Sequence, residues 1–183
     1  MPTPFEVLGL QPAFDLDPAV LEQKLIEASL KWHPDRFALA PEADRLAAED
    51  QMAAINEAHD LLADPLLRAE FLLTAANQDL GADGQNPNLH ADRNSDPMFL
   101  MEMMELREEV DSTAAKGGEP AQELHQKLGG KELKVLQQFA RCWQQAAADG
   151  QVQSALPELQ KHYEHARYLR SSRRQLEQAL HTS

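Results

Sequence analysis

Residues 18–37 read PAVLEQKLIEASLKWHPDRF, and this stretch decides the fold. Asp17 supplies a side-chain oxygen suited to capping a helix. Pro18 takes the first helical position, where its missing N–H costs nothing. Leu21, Leu25, Ala28 and Trp32 then recur at helical spacing. Pro34 stops the run, because the residue before a proline is pushed out of the α region. The reading is one helix that ends at His33-Pro34-Asp35. A second helix begins near Pro41-Glu42 and runs to about Ala63, with Met52, Ile55 and Leu62 on its apolar stripe and His59 between them. Asp64-Pro65 restarts the chain as a third helix, with Leu66, Ala69 and Leu73 on one face. Ahead of all of these, Pro4 to Leu8 reads as one short turn before Gly9. The tripeptide thus occupies the loop between two long helices.

Further along, Asn77, Gly81, Gly84, Asn86, Pro87, Asn88, Asn94 and Ser95 crowd into residues 77–96, which is loop and linker chemistry. Asp96-Pro97 caps a new helix, and Gly117-Gly118 ends it. Leu124, Leu128, Val135, Phe139 and Trp143 mark a long helical stretch. Gly129-Gly130 lies inside it and costs about 1 kcal/mol per glycine against alanine, so a kink or break is expected there. Asp149-Gly150 reads as a turn. The last helix carries Val152, Leu156, Leu159, Tyr163, Ala166, Leu169, Leu176 and Leu180, close to a heptad seam. No run alternates with period two for long enough to suggest a sheet. The fold class is therefore all-α: a compact helical module over 1–76, a linker over 77–95 and a three-helix bundle over 96–183.

The chain has 183 residues, with 17 Lys+Arg against 30 Asp+Glu and a formal net charge of −13. Phosphate binding needs clustered cations, so this balance argues against nucleic acid and against anionic lipid. No apolar run is long enough to span a bilayer. The single cysteine, Cys142, excludes an internal disulfide and any all-cysteine metal site. A reducing compartment is the natural reading, and the N-terminus has the character of neither a signal nor a transit peptide. The expected location is the bacterial cytoplasm.

Four pieces carry a resemblance. Phe5-Glu6-Val7-Leu8-Gly9-Leu10, Trp32-His33-Pro34-Asp35-Arg36-Phe37, Ile55-Asn56-Glu57-Ala58 and Asp64-Pro65-Leu66-Leu67-Arg68-Ala69-Glu70-Phe71 occur in the order and spacing of a J-domain. Residues 1–76 resemble that family. The resemblance implies stimulation of the ATPase of a DnaK-type chaperone through His33, Pro34 and Asp35, with a basic face on the preceding helix in support. A proline-locked loop lowers the ordering cost of binding, and basic residues add charge complementarity. Here the basic face is thin: Lys24, Lys31 and Arg36, diluted by Glu22 and Glu27. The tripeptide carries no chemistry of its own. The chain has no Gly-rich phosphate loop, so the ATP belongs to the partner.

The second unit opens on FLMEMMELREEVD, residues 99–111. At about 100° per residue, Phe99, Met103, Leu106 and Val110 form one narrow stripe, which is core. Leu100, Met101 and Met104 fall on the other side beside Glu105 and Glu108. Either a wide buried face absorbs Leu100 and Met104, or these residues form a partner-binding patch, a use to which methionine is well suited. The run resembles the start of the C-terminal domain of the HscB family, the dedicated J-proteins of bacterial iron–sulfur cluster assembly. That resemblance extends back through Leu46-Ala47-Ala48 and forward to Leu169-Arg170-Ser171-Ser172. It implies a roughly L-shaped co-chaperone that binds the scaffold IscU with its bundle and delivers it to the chaperone HscA. The scaffold contacts fall on Leu100, Met101, Met104, Glu105 and Glu108. A further acidic contact of the family falls on Ser112, and an aromatic one on His165, with Tyr163 and Tyr168 close by.

Other features have plainer readings. His162 and His165 are three apart, a spacing that can hold a metal, but apart from Glu158 no further ligand stands near them, so solvent-facing histidines and no metal are expected. Cys142, next to Trp143, reads as a buried structural thiol. Arg167, Arg170, Arg173 and Arg174 read as a solvated helix end favoured by the macrodipole, or as a partner contact. No nucleophile or base surrounds any carboxylate pair, so neither an enzyme nor a cofactor is expected. Two other functions stay open: a J-protein for a different or general unfolded client, and a non-catalytic helical adaptor.

Overall fold

The computed structural model describes residues 2–78 and 97–182, with the side chains of Gln78 and Thr182 left aside. Within them the chain is helical without strands. The elements are α1 (Pro4–Val7), α2 (Pro18–Trp32), a 3₁₀ turn (Pro34–Phe37), α3 (Glu42–Ala63), α4 (Pro65–Gln78), α5 (Pro97–Lys116), α6 (Gly118–Ala148) and α7 (Val152–Thr182). They divide into two compact units, Met1–Leu72 and Leu73–Ser183. The expected linker begins two residues too early, since Asn77 and Gln78 close α4. Its remainder, 79–95, lies outside the described residues.

In the first unit, side-chain caps start α1, α2 and α4, whereas α3 follows Pro41 without one. Thr3 and Glu6 form a reciprocal capping box on α1. Asp17 Oδ1 accepts from Ala19 N at 2.8 Å, and Asp64 Oδ1 accepts from Leu66 N at 2.8 Å. The core gathers Phe5, Leu8, Phe14, Leu21, Ile55, Leu62, Leu66 and Leu72. Leu25, Ala28, Trp32 and Met52 are only half-buried, because two-helix packing covers a narrower face than the periodicity allows. Among the described residues of this unit, Arg68 is the one buried charge. Its Nη1 donates to the Phe14 carbonyl, and its guanidinium lies 5.5 Å from the Phe14 ring. It pins the segment before α2 onto α4.

The second unit is a long α6–α7 hairpin with α5 laid against it. Gly117 is buried with φ +62° and separates α5 from α6 at an angle that side chains disfavour. Leu128, Phe139, Leu159, Tyr163, Leu169 and Leu176 are fully buried between the long helices, each worth about 2 kcal/mol in apolar burial. The expected break at Gly129-Gly130 does not occur, and α6 runs unbroken through both glycines. A Cβ at Gly129 would lie 3.3 Å from the Arg173 Cζ and Nε atoms. Glycine there marks a close approach rather than a stop. Arg173 Nη1 donates to Glu132 Oε2 at 2.7 Å, and Arg170 Nε donates to Glu132 Oε1 at 2.7 Å. Glu132 is buried, so two of the four arginines read as a solvated helix end form an interhelical ion triad instead.

Candidate functional site

The tripeptide sits where α2 ends. His33 caps the 3₁₀ turn: its Nδ1 accepts from Asp35 N at 3.3 Å, and its carbonyl accepts from Arg36 N at 3.0 Å. An accepting Nδ1 carries no proton, so in the neutral ring the proton sits on Nε2. Pro34 fixes its own φ. Trp32 stacks on Phe37 with centroids 5.9 Å apart and planes 9° from parallel, bracketing the turn. Arg36 Nη1 donates to the Leu30 carbonyl at 3.0 Å, satisfying one of the acceptors that α2 leaves open at its end. The side chains of His33 and Asp35 are nevertheless 53% and 91% exposed. A braced backbone thus presents two polar side chains to solvent.

The supporting cations are more committed than their spacing suggests. Lys24 pairs with Glu27 at 2.7 Å, Arg36 is folded onto Leu30, and Lys31 lies 5.4 Å from the Trp32 ring. Ile26 and Leu30 stand exposed on the same helix. The surroundings of the tripeptide are therefore as apolar as they are basic.

On α5, Met103, Leu106 and Val110 are buried, as the stripe requires, whereas Phe99 is only half-buried at its edge. Leu100, Met101 and Met104 are 45%, 62% and 70% exposed, and Glu105 and Glu108 are exposed beside them. The bundle does not absorb Leu100 and Met104, because the long hairpin takes one face of α5 and leaves the other uncovered. Met98, at 78%, belongs to the same exposed set. It stands in the first turn of α5, ahead of the apolar repeat that marks the stripe. Along the α7 side, Tyr168 Oη donates to the Met103 carbonyl at 2.7 Å and Gln175 Nε2 donates to Asp111 Oδ1 at 2.6 Å. These bonds fix how α5 is held. Ser112 is exposed and bonds only back to the Glu109 carbonyl, so it supplies no charge to the rim.

Of the three rings near the expected aromatic position, Tyr163 is buried in the core and is not available to a partner. His165 is half-buried edge-on to Phe99, with centroids 5.5 Å apart. Tyr168 is half-buried beside Arg107 and Asp111. The two histidines are not solvent-facing. Burial holds the His165 ring below the ordinary imidazole range, against the pull of Glu102, with Lys131, His162 and Lys161 adding to the depression. Burial lowers His162 likewise, against Glu158. A ring kept neutral in the fold is protonated first in the unfolded chain. The bundle should therefore keep its full stability above pH of about 6.5 and lose it as pH falls through that value. Urea midpoints at about pH 7.5 and 5.5 measure the loss. The double substitution His162→Gln, His165→Gln is expected to flatten it, and an unchanged difference refutes this origin.

Cys142 is half-buried rather than buried and lines an open cleft of about 530 Å³ with Arg141, Glu158 and His162. Burial and the nearby Glu158 push its thiol up, which suits a structural thiol and not a nucleophile. Among the described residues, no three His, Cys, Asp or Glu side chains are placed to hold a metal, and no helix is long and apolar enough to cross a membrane.

Comparison with known proteins bears on the family and the fold of the chain. A family model described as the HSCB C-terminal oligomerisation domain matches residues 95–177. A co-chaperone protein HscB homolog of Vibrio atlanticus (strain LGP32) is 35% identical over 151 residues, 82% of this chain and 84% of the relative. One from Vibrio vulnificus (strain YJ016) is 35% identical over 157 residues, 86% of each chain. Among solved structures, the chaperone HscB from Vibrio cholerae matches with a TM-score of 0.69 at 32% identity, covering 97% of this chain and 96% of that one. The human co-chaperone protein HscB matches with a TM-score of 0.76 at 20% identity, covering 97% and 81%, a likeness of fold. With identity above three-tenths running through most of the chain and through most of its relatives, this protein belongs to the HscB family of co-chaperones.

Proposed function

We propose that this co-chaperone stimulates the ATPase of an HscA-like, DnaK-type chaperone with His33, Pro34 and Asp35, supported by Lys24, Lys31 and Arg36, and delivers an IscU-type iron–sulfur scaffold to it. Residues 1–76 act as the J-domain and residues 96–183 hold the scaffold. The observation that carries the reading is a pair of presented surfaces, one on each unit: a braced polar turn, and an apolar strip with carboxylates beside it. Such a strip binds through its central apolar anchors, and the charged rim adds orientation and on-rate. Leu100, Met101 and Met104 are the anchors, and Glu105 and Glu108 are the rim. The protein itself holds no nucleotide or metal in this scheme, since hydrolysis takes place in the chaperone.

The joint substitution Leu100→Ala, Met104→Ala removes two anchors that the fold does not need. It is expected to weaken IscU binding by about 30-fold or more, on the scale of two anchors at about 1 kcal/mol each. Isothermal titration with purified IscU measures it, with the urea midpoint unchanged as the control. Unaltered IscU affinity would remove the scaffold assignment. Equal binding of a denatured model protein would favour a general client.

A further inference from the structure

Helix α2 has two uncharged sides. Leu21, Leu25, Ala28 and Trp32 make its inward stripe. Ala19, Gln23, Ile26 and Leu30 follow one another at intervals of four, three and four residues on the opposite side, over about 16 Å. All four are exposed, and Ile26 and Leu30 are each more than half so. Gln23 and Lys24 are both drawn onto Glu27, at 2.8 Å and 2.7 Å. A surface helix needs one apolar face to fold, so this second face does nothing for the helix that carries it.

The face runs into the tripeptide turn. Leu30 stands three residues before His33, and its carbonyl accepts from Arg36 Nη1 at 3.0 Å. A surface closing over His33 and Asp35 reaches Leu30 within about one helical turn, and Ile26 about 6 Å further on. Charge is poorly placed to hold that surface. Residues 18–32 contain two acids, Glu22 and Glu27, and two bases, Lys24 and Lys31, a net of zero. Lys24 is spent on Glu27, and Arg36 on Leu30. Residues 1–76 hold 14 acidic and 5 basic residues, so the background is negative. A membrane surface fits badly, because an interfacial helix borders its apolar face with cations, and Glu22 and Glu27 border this one.

We infer that the Ala19–Gln23–Ile26–Leu30 face is the apolar part of the chaperone-docking surface, and that burial of Ile26 and Leu30, rather than attraction by Lys24, Lys31 and Arg36, holds the chaperone there. The inference rests on the reading that the tripeptide acts on an HscA-like chaperone. Its occupant is an apolar patch of that chaperone, next to the place that receives His33 and Asp35. Ion-steered docking weakens as salt screens the charges, whereas burial of apolar area does not. Docking should therefore persist at high ionic strength.

Single-turnover ATPase of an HscA-like chaperone, titrated with the full chain, gives a half-saturating concentration and a maximal stimulation. Between about 50 mM and about 500 mM sodium chloride, the half-saturating concentration of the natural chain should rise by less than about fivefold. Ile26→Ala, Leu30→Ala should raise it by about tenfold or more at both salts, with the urea midpoint and the IscU affinity unchanged, since alanine suits an exposed helix face. Ile26→Leu, Leu30→Met keeps the apolar area and should stay within about threefold of the natural chain. A smaller rise for the alanine pair overturns the inference, as does a larger salt effect on the natural chain, because cations then carry docking. If the alanine pair instead alters IscU affinity, capture of a denatured model protein or the mass of the free chain while half-saturation stands still, the face serves another occupant and the inference fails. His33→Gln separates the two levels. If it stimulates normally, the reading beneath the inference is wrong. If it is defective while the alanine pair is normal, only the role of this face is wrong.

Discussion

His33→Gln is expected to reduce stimulation of the chaperone ATPase by at least about tenfold, a loss of about 1.4 kcal/mol or more in the productive encounter. The urea midpoint and the affinity for IscU should stay where they are. The reason lies in how the ring is held. Its Nδ1 is spent on the Asp35 N–H, which shapes the turn, while more than half of the side chain faces solvent. Little of the fold depends on a ring so exposed, and a partner surface can reach it. The surrounding brace of Pro34, the Trp32–Phe37 stack and the Arg36 bond to Leu30 survives the substitution. The loss should therefore be local to docking. Single-turnover ATPase assays with an HscA-like chaperone, run with and without IscU, provide the measurement. A variant that stimulates as well as the natural chain would remove His33 from the docking surface, whatever the scaffold affinity shows.

The largest effect on stability is expected at Glu132. Glu132→Ala removes the buried carboxylate that Arg170 and Arg173 share and takes its charge from between the two partly covered guanidinium groups. Breaking a buried charge group in this way costs about 3 kcal/mol or more. At ordinary urea dependences of 1–3 kcal/mol per molar, the midpoint should fall by about 1 M or more. In a Trp32→Phe background, the fluorescence of Trp143, stacked on Phe139 in α6, follows the second unit alone. A midpoint moved by less than about 0.3 M would show that the triad does not clamp the hairpin. Replacing the whole triad with Glu132→Leu, Arg170→Met and Arg173→Met is expected to recover most of the loss, because an apolar set of similar volume avoids desolvating three charges. The close approach of Arg173 to Gly129 belongs to the same clamp.

Much of this molecule was readable along the chain, and the features share a cause. Asp17, Pro18, Pro34, Asp64, Pro65, Pro97 and Gly117 act on backbone groups within a few residues of themselves, so helix starts and stops followed from local chemistry. The tripeptide was readable for the same reason, since its conformation is set by its own proline and its immediate neighbours. The surplus apolar face of α5 was visible as a second stripe on one helix, though not whether the bundle would cover it.

What escaped depends on residues far apart. Glu132 stands in core register, four after Leu128 and three before Val135, yet nothing adjacent along the chain marks a partner for it. Only the packing of α6 on α7 brings Arg170 and Arg173 to it, 38 and 41 residues away. Gly129 has the local character of a break, and only the Arg173 side chain lying against it gives the glycine its place inside a continuous helix. Tyr163, His165 and Tyr168 were equivalent neighbours in sequence, but the way α7 faces its partners buries the first, half-covers the second against Phe99 and bonds the third to Met103. The chain alone thus determined the helices, their ends and the turn that presents His33 and Asp35, because short-range sterics and hydrogen bonds decide those. Tertiary structure decided which charges are buried, which cations are spent and which apolar residues stay uncovered, because burial belongs to the whole assembly of helices and to no single stretch of them.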